Sequence, residues 1–389
     1  MTKNPPSIAV LSSHTPSLFW FRLDMMREFF RRGYAVYALG NEAEEKWAPR
    51  FAENGIAYRQ IPVIRNGMNP LKDRKTIAAI QAQLERIMPE KLFVYQAKTV
   101  IYGAMAANRL GITEVYPLIA GMGSVFVSDS LITRAVRPVL VAMYRRAMKK
   151  CPAVFFQNRD DERIFRDRRI VRDQKVVLLH GSGVNTERFT AQPLPEKPAF
   201  LCVSRLIRDK GVYEYLCACR RMKQTHPGVE CLLVGPYDSN FSTLRPEELQ
   251  PFLEDGSVSY VGEQEDVRPW LARCSVFVLP SYREGTPKAN LEAMASGRAV
   301  ITTDAPGCRE TVRDGENGFL VPVRSVDAIF EKMEWSLDHP EEVAAMGRKG
   351  REMAEQIFDV RKVNAVICRT MGLSEAAAAG SPADCYDGR

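Results

Sequence analysis

Strand-like apolar runs alternate with helix-period segments along the whole 389-residue chain, and the rhythm runs through twice. The first series is IAVLS (8–12), YAVYAL (34–39), KLFVY (91–95), VYPLI (115–119), AVFFQ (153–157) and VVLL (176–179). Amphipathic stretches at 18–32, 74–87, 98–110 and 131–150 lie between these runs. The second series is AFLCVS (199–204), VECLLVG (229–235), VSYVG (258–262), SVFVLP (275–280), RAVITT (298–303) and GFLVP (318–322), and two further helices follow over 340–371. Strands that are apolar on both faces and separated by helices belong to parallel sheets covered on both sides. The fold class expected is α/β, with two Rossmann-like, doubly wound parallel-sheet domains facing across a cleft. The expected boundaries are an N-terminal domain over 1–190 and a C-terminal domain over 191–356, joined at the proline-rich segment 190–199. A helix over 357–372 is expected to return to the first domain, with a flexible tail expected over 373–389.

With 46% hydrophobic and 26% charged residues, the chain is an ordinary globular protein, which excludes disordered, collagenous and disulfide-scaffold classes. Charges interrupt every apolar stretch well short of the roughly 20 residues of a membrane span. The first fifteen residues, MTKNPPSIAVLSSHT, do not read as a signal peptide. Nine scattered cysteines without a C-x2-C pair read as buried reduced thiols, which fits a cytoplasmic protein. The net charge of +7 is unevenly spread: residues 1–190 carry 30 basic and 17 acidic side chains (+13), and the remainder 24 and 30 (−6). Such a basic half suits nucleic acid, an anionic membrane or a phosphate-bearing ligand. No G-x-G-x-x-G follows the first strand, so a dinucleotide oxidoreductase is disfavoured.

The segment YREGTPKANLEAMASGRAV (282–300) carries the sharpest chemistry. Glu284 follows a strand, Gly285, Thr286 and Pro287 make a turn, and a helix starts near Lys288. Helix N-termini present free N–H groups to anions. Glu292, eight residues after Glu284, would stand roughly 12 Å away along a continuous helix. That spacing is too long for the carboxylate pair of a glycosidase and suits two ends of one extended ligand. In VSRLIRDKG (203–211), Arg205 and Lys210 leave a strand end together, where parallel sheets bind ligands. Each feature alone reads equally as a solvated loop or surface helix. Together, two cations and a helix N-terminus describe a diphosphate site.

These residues resemble the family-4 glycosyltransferases of the GT-B fold. The matching pieces are S-R-L-x3-D-K-G (204–211), V-G (234–235), V-G-E (261–263), L-P-S-Y-R-E-G-T-P (279–287), the pair Glu284/Glu292 and D-G-x-N-G-F-L-V (314–321). The resemblance implies retaining transfer from a nucleotide-sugar, usually a UDP-sugar. It implies that Arg205 and Lys210 neutralise the diphosphate, that Glu284 faces the donor sugar and that Glu292 binds the ribose. Gly285, Thr286, Pro287, Lys288 and Ala289 would hold sugar and phosphate, with Val261 beside the base. No D-x-D occurs, in agreement with a metal-independent site that has no cofactor. The resemblance also implies front-face chemistry, in which the leaving phosphate oxygen takes the acceptor proton and Glu284 stabilises without acting as nucleophile.

The first half is similar to a subset of that family that extends sugars on polyprenyl diphosphate carriers in bacterial glycan and exopolysaccharide synthesis. It matches in S-H-x3-L-x2-F-R-L (13–23), N-P-L-K-D (69–73), K-x3-Y-G-A (98–104), G-M-G-S-V-F (121–126), F-F-Q-N-x-D-D (155–161) and G-S-G-V-N (181–185). Many members carry a loop histidine where this chain reads IAGMG (119–123), so Gly121 and Gly123 would offer backbone groups instead. His14 reads either as an acceptor contact or as a polar loop residue filling a hydrogen bond. Phe19, Trp20 and Phe21 read as core. The segment 131–150 is basic and amphipathic. It reads as a core helix with a solvated face or as a helix lying on an anionic membrane surface. The implied partners are a nucleotide-sugar donor and a polyprenyl-diphosphate-linked saccharide, with no nucleic acid, at the inner face of the cytoplasmic membrane. The alternatives are a soluble transferase with a small-molecule acceptor and an inactive sugar-nucleotide binding protein.

Overall fold

A computed structural model describes residues 5–63, 70–122, 126, 131–172, 175–238 and 242–374. The chain divides into two units, one of residues up to Ser182 together with those from Val363 onward, the other Gly183–Lys362. The division falls before the proline-rich segment because residues 183–189 are built into the second unit. Val184 N–H donates to Phe358 O and Val360 N–H to Val184 O, at 2.8 and 2.9 Å, and Phe189 is buried in that unit's core.

The first unit holds β1 (Ser7–Leu11), β2 (Ala35–Gly40), β3 (Ile56–Gln60), β4 (Lys91–Tyr95), β5 (Val115–Ile119), β6 (Ala153–Phe156) and β7 (Lys175–Leu178). They form one seven-stranded sheet in the order β3-β2-β1-β4-β5-β6-β7, parallel throughout. β1 and β4 are buried almost end to end, and apolar clusters cover both sheet faces, as the unbroken apolar runs require. Helices Thr15–Arg31, Pro70–Ile87, Ala97–Arg109 and Leu131–Met148 fill the four amphipathic stretches. Three elements were not expected: β3 and the helices Glu44–Ala52 and Arg159–Asp167. β3 (IAYRQ) is an edge strand in which Ile56 and Tyr58 are buried while Arg59 and Gln60 are not, so its apolar signal is half-length. Phe21 corrects the core reading of the aromatic triplet. Phe19 and Trp20 are half-buried, but Phe21 faces outward at 46% exposure.

The second unit holds β8 (Ala199–Val203), β9 (Glu230–Val234), β10 (Ser259–Gly262), β11 (Val276–Leu279), β12 (Ala299–Thr303) and β13 (Gly318–Val321). Its parallel sheet runs β10-β9-β8-β11-β12-β13. The strand order reverses between β8 and β11, as it does between β1 and β4 in the first unit. At such a switch point the two flanking crossovers leave in opposite directions and open a crevice at the strand carboxyl ends. Both units are thus doubly wound parallel-sheet domains. The last helix, Val360–Thr370, begins in the second unit; its later residues Val363, Ile367 and Cys368 join the apolar cluster of the first. Among the described residues, no helix is long and apolar enough to cross a membrane.

Candidate active site

The second unit's switch point gathers several of the residues that the sequence singled out. β8 ends at Val203 and runs through Ser204 and Arg205 into a one-turn helix, Arg208–Lys210. Gly211 then turns the chain into the helix Val212–Thr225 with a left-handed backbone (φ +67°). A Cβ there would stand 2.1 Å from Pro280 O, so only glycine lets this turn lie against the segment leaving β11. Tyr282 N–H donates to Asp209 O at 2.9 Å, which ties the two loops together across the crevice.

That closeness places Lys210, after β8, against Glu284, after β11, and Lys210 Nζ bonds Glu284 Oε1 directly. Ser281, fully buried, donates from Oγ to the same carboxylate oxygen at 2.9 Å. The Glu284 backbone is fixed as well, its N–H donating to Pro306 O at 2.9 Å. A Cβ on Gly307 would stand 2.3 Å from Glu284 O, so the turn after β12 rests on the glutamate's own backbone. Ser281 and Gly307 were missed in the sequence; the only sign of the second is a Pro-Gly pair following a strand.

Arg205 is not joined to Lys210. Its Nη1 is taken by Asp238, a carboxylate in the loop after β9 whose side chain is only 7% exposed. Arg205 Nε and Nη2 make no hydrogen bond to any described residue. Asp238 was also missed, because nothing in a sequence pairs residues so far apart. Gly285, Thr286 and Pro287 are buried in the turn, and Lys288 and Ala289 open the helix Lys288–Ala295 half-buried. Pro287 is the N-cap residue without a side-chain cap, and its carbonyl accepts from the Asn290 N–H at 3.1 Å. Glu284 lies ahead of this helix, so the two glutamates are not carried on one continuous helix.

Glu292 lies on the second turn and is half-buried. Burial raises its carboxyl above the usual range, opposed by the nearby charges of Lys288 and Arg188. Among the described residues none donates a hydrogen bond to either carboxylate oxygen. A carboxylate in that state is a ready acceptor for two hydroxyl donors. Val261 stands apart from these residues, half-buried near the end of β10.

In the first unit the corresponding crevice holds Ser12, Ser13 and His14 after β1 and Gln96 after β4. Gln96 Oε1 accepts from Ser12 Oγ (2.9 Å), Ser13 N (3.0 Å) and Ser13 Oγ (2.7 Å), and the residue sits at φ +70°. A non-glycine residue with a left-handed φ is strained and marks a site whose surroundings over-determine it. His14 is half-buried at the N-cap of Thr15–Arg31, and Gly121 is half-buried after β5; Gly123 lies outside the described residues. Two turns into that helix, Arg22 is 2% exposed with its guanidinium 5.2 Å over the Tyr95 ring. Burial lowers its pKa to about 10.

Residues 197–339 match the family Glycosyl transferases group 1. The chain carries a group 1 glycosyltransferase domain. Over 345 residues this glycosyltransferase is 24% identical to a Campylobacter jejuni enzyme named N,N'-diacetylbacillosaminyl-diphospho-undecaprenol alpha-1,3-N-acetylgalactosaminyltransferase, across 85% of this chain and 89% of the relative. It is 30% identical to the capsular polysaccharide biosynthesis glycosyltransferase CapM of Staphylococcus aureus over 49% of this chain, about half of that protein's length (53%). Two solved structures share the two-domain GT-B fold. Sucrose-phosphate synthase from Thermosynechococcus elongatus superposes with a TM-score of 0.77 at 19% identity, covering 94% of this chain and 98% of that one. Anabaena HepE in complex with UDP and glucose gives 0.76 at 16% identity, covering 94% and 99%.

Proposed function

We propose that this glycosyltransferase moves a sugar, with retention of configuration, from a UDP-sugar to a saccharide carried on a polyprenyl diphosphate, in the synthesis of a bacterial surface polysaccharide or glycan. The carrying observation is the Lys210–Glu284 contact across the switch point of the second sheet. A cation suited to a leaving phosphate there stands beside a carboxylate suited to a sugar, ahead of a helix N-terminus, and this supports the reading. The near full-length likeness to an enzyme named for an undecaprenyl diphosphate acceptor and an alpha linkage supports both the acceptor class and the stereochemistry. The UDP held by HepE supports the donor class.

In this mechanism the bond from the anomeric carbon to the leaving phosphate oxygen breaks first. That oxygen takes the proton of the acceptor hydroxyl as the new carbon–oxygen bond forms on the same face. Negative charge grows on the departing diphosphate, where Lys210, the open Nε–Nη2 edge of Arg205 and the amides near Lys288 stabilise it. No protein general base and no metal ion is required. Glu284, held by Lys210 and Ser281, steadies the positive charge that develops on the sugar ring, and Glu292 takes the ribose hydroxyls.

The enzyme is proposed to work on the inner face of the cytoplasmic membrane, where Leu131–Met148 supplies a contact. Its inner side buries Val141, Tyr144, Ala147 and Met148. Its outer side exposes Ala135, Pro138, Val139 and Ala142, flanked by Arg134, Arg146, Lys149 and Lys150. An apolar strip edged with cations is the pattern of a helix resting on anionic lipid. The test is a panel of UDP-sugars, each with and without polyprenyl-diphosphate saccharides, read as released UDP. Release that rises only with the lipid-linked acceptor supports the proposal. Release driven equally by small soluble acceptors overturns the acceptor assignment, and no release with any donor overturns the donor class.

A further inference from the structure

Asp238 is a buried carboxylate beside the donor site with no role in the chemistry above. The loops after β8 and β9 are laced to each other: Arg208 N–H donates to Ser242 O and Leu244 N–H to Leu206 O, both at 2.8 Å. Asp238 N–H donates to Thr243 Oγ1 at 3.2 Å, and that hydroxyl donates to Leu206 O at 3.2 Å. The Asp238 backbone is therefore held in place while its carboxylate meets Arg205 Nη1. Arg205 itself is 34% exposed, so the pair joins an accessible guanidinium to an enclosed anion.

Two consequences follow from this arrangement. Geometrically, Asp238 occupies one nitrogen of the fork and turns the Nε–Nη2 edge away from itself, where it can meet a phosphate. Electrically, an arginine paired with a carboxylate presents a nearly neutral group to an approaching anion. Water and salt screen an exposed counter-charge but reach an enclosed one poorly, so the repulsion from Asp238 persists in solution. Its weight differs between the two ends of the reaction. A UDP-sugar carries two phosphate charges, whereas free UDP gains most of a third because its terminal phosphate ionises near pH 6.

We propose that Asp238 is a built-in counter-anion to Arg205 that lowers the site's hold on a nucleoside diphosphate and so drives release of the product. The inference rests on the donor site proposed above and assigns how that site lets go. Asp238→Asn keeps the size of the side chain and an oxygen for Arg205 while removing the charge. UDP binding measured by calorimetry is expected to tighten at least ten-fold, about 1.4 kcal/mol. The gap to wild type should persist in 0.5 M NaCl. Uridine, which has no phosphate, should bind both proteins alike. With a turned-over UDP-sugar, inhibition by added UDP should strengthen in parallel. Asp238→Ser serves as a second neutral variant, and melting temperatures identify whichever variant keeps the wild-type fold. UDP binding that is unchanged or weaker in the folded neutral variant overturns the inference while leaving the donor reading intact. An equal tightening for uridine overturns it as well. Failure of the wild-type protein to bind UDP removes the donor reading, and this inference with it.

Discussion

Lys210 and Arg205 each face a carboxylate in the second unit, and this alters what their removal should do. Lys210 holds Glu284, and Arg205 holds the enclosed Asp238. Truncating either cation removes a counter-charge from a partly buried anion, so stability falls along with activity. The charge and the fork can be separated. Arg205→Lys retains a cation for Asp238 but loses the bidentate edge, so turnover should fall about ten-fold or more with the melting temperature nearly unchanged. Lys210→Ala should reduce turnover by about 100-fold, the scale of other preorganised donors. Steady-state rates paired with thermal melts check both, and wild-type turnover in either variant would remove that residue from the chemistry. At this scale the sequence was informative about which residue types gather and poor on their partners. Arg205, Lys210 and Glu284 stood out because chemistry-bearing types follow strand ends, and Glu292 because of its spacing from Glu284. Asp238, Ser281 and Gly307 did not, because each acts through a contact between loops that local spacing cannot encode.

The elements were legible wherever burial is two-sided. β8, β9, β11 and β12 are nearly unbroken apolar runs because both faces are covered, whereas β3 sits at an edge and shows only two buried side chains. The division between units was misplaced for a related reason. Proline enrichment over 190–199 marks a change in backbone, but the contacts change earlier, where Val184 meets Phe358 and Val360. Asp359 secures that junction. Its carboxylate accepts from Thr186 Oγ1 (2.7 Å), from the Arg361 N–H (2.8 Å) and from the Arg361 guanidinium, at the start of the helix Val360–Thr370. Arg361 and Thr186 thereby hold its pKa down to about 2, against 3.8 ordinarily. A carboxyl whose folded pKa is depressed stabilises the fold above its unfolded pKa and loses that contribution as pH falls through the folded value. Melting curves should therefore show a loss of stability between about pH 4 and pH 2 that is absent in Asp359→Asn, which is less stable at neutral pH. Identical acid profiles for the two proteins would contradict this.

The helix Leu131–Met148 serves its own core and still leaves an exposed outer face, the one proposed above to meet lipid. Arg145 does not belong to that face, because its Nη2 donates to Arg168 O at 2.6 Å and closes the C-terminus of the helix Arg159–Asp167. A test of membrane contact should leave Arg145 in place and change Arg134, Arg146, Lys149 and Lys150 to Gln. At about 1 kcal/mol per cation near an anionic surface, the loss approaches 4 kcal/mol, or roughly 1,000-fold in vesicle partitioning. Sedimentation with phosphatidylglycerol vesicles at low and high salt reads it. Equal partitioning by wild type and variant would leave the helix as packing alone.

At the scale of the whole molecule, two doubly wound sheets each place their chemistry-bearing loops at a switch point. The second brings a lysine, an arginine and a helix N-terminus to one crevice, and retention without a metal ion is the central consequence claimed for that set. The most direct measurement is the anomeric configuration of the sugar in the product, read by NMR after transfer from an α-linked UDP-sugar in the presence of EDTA. Formation of the α-linked product at an undiminished rate is the result expected if Lys210, Arg205 and the helix amides alone carry the leaving diphosphate. A β-linked product, or activity lost with EDTA and restored by Mg²⁺ or Mn²⁺, would contradict it.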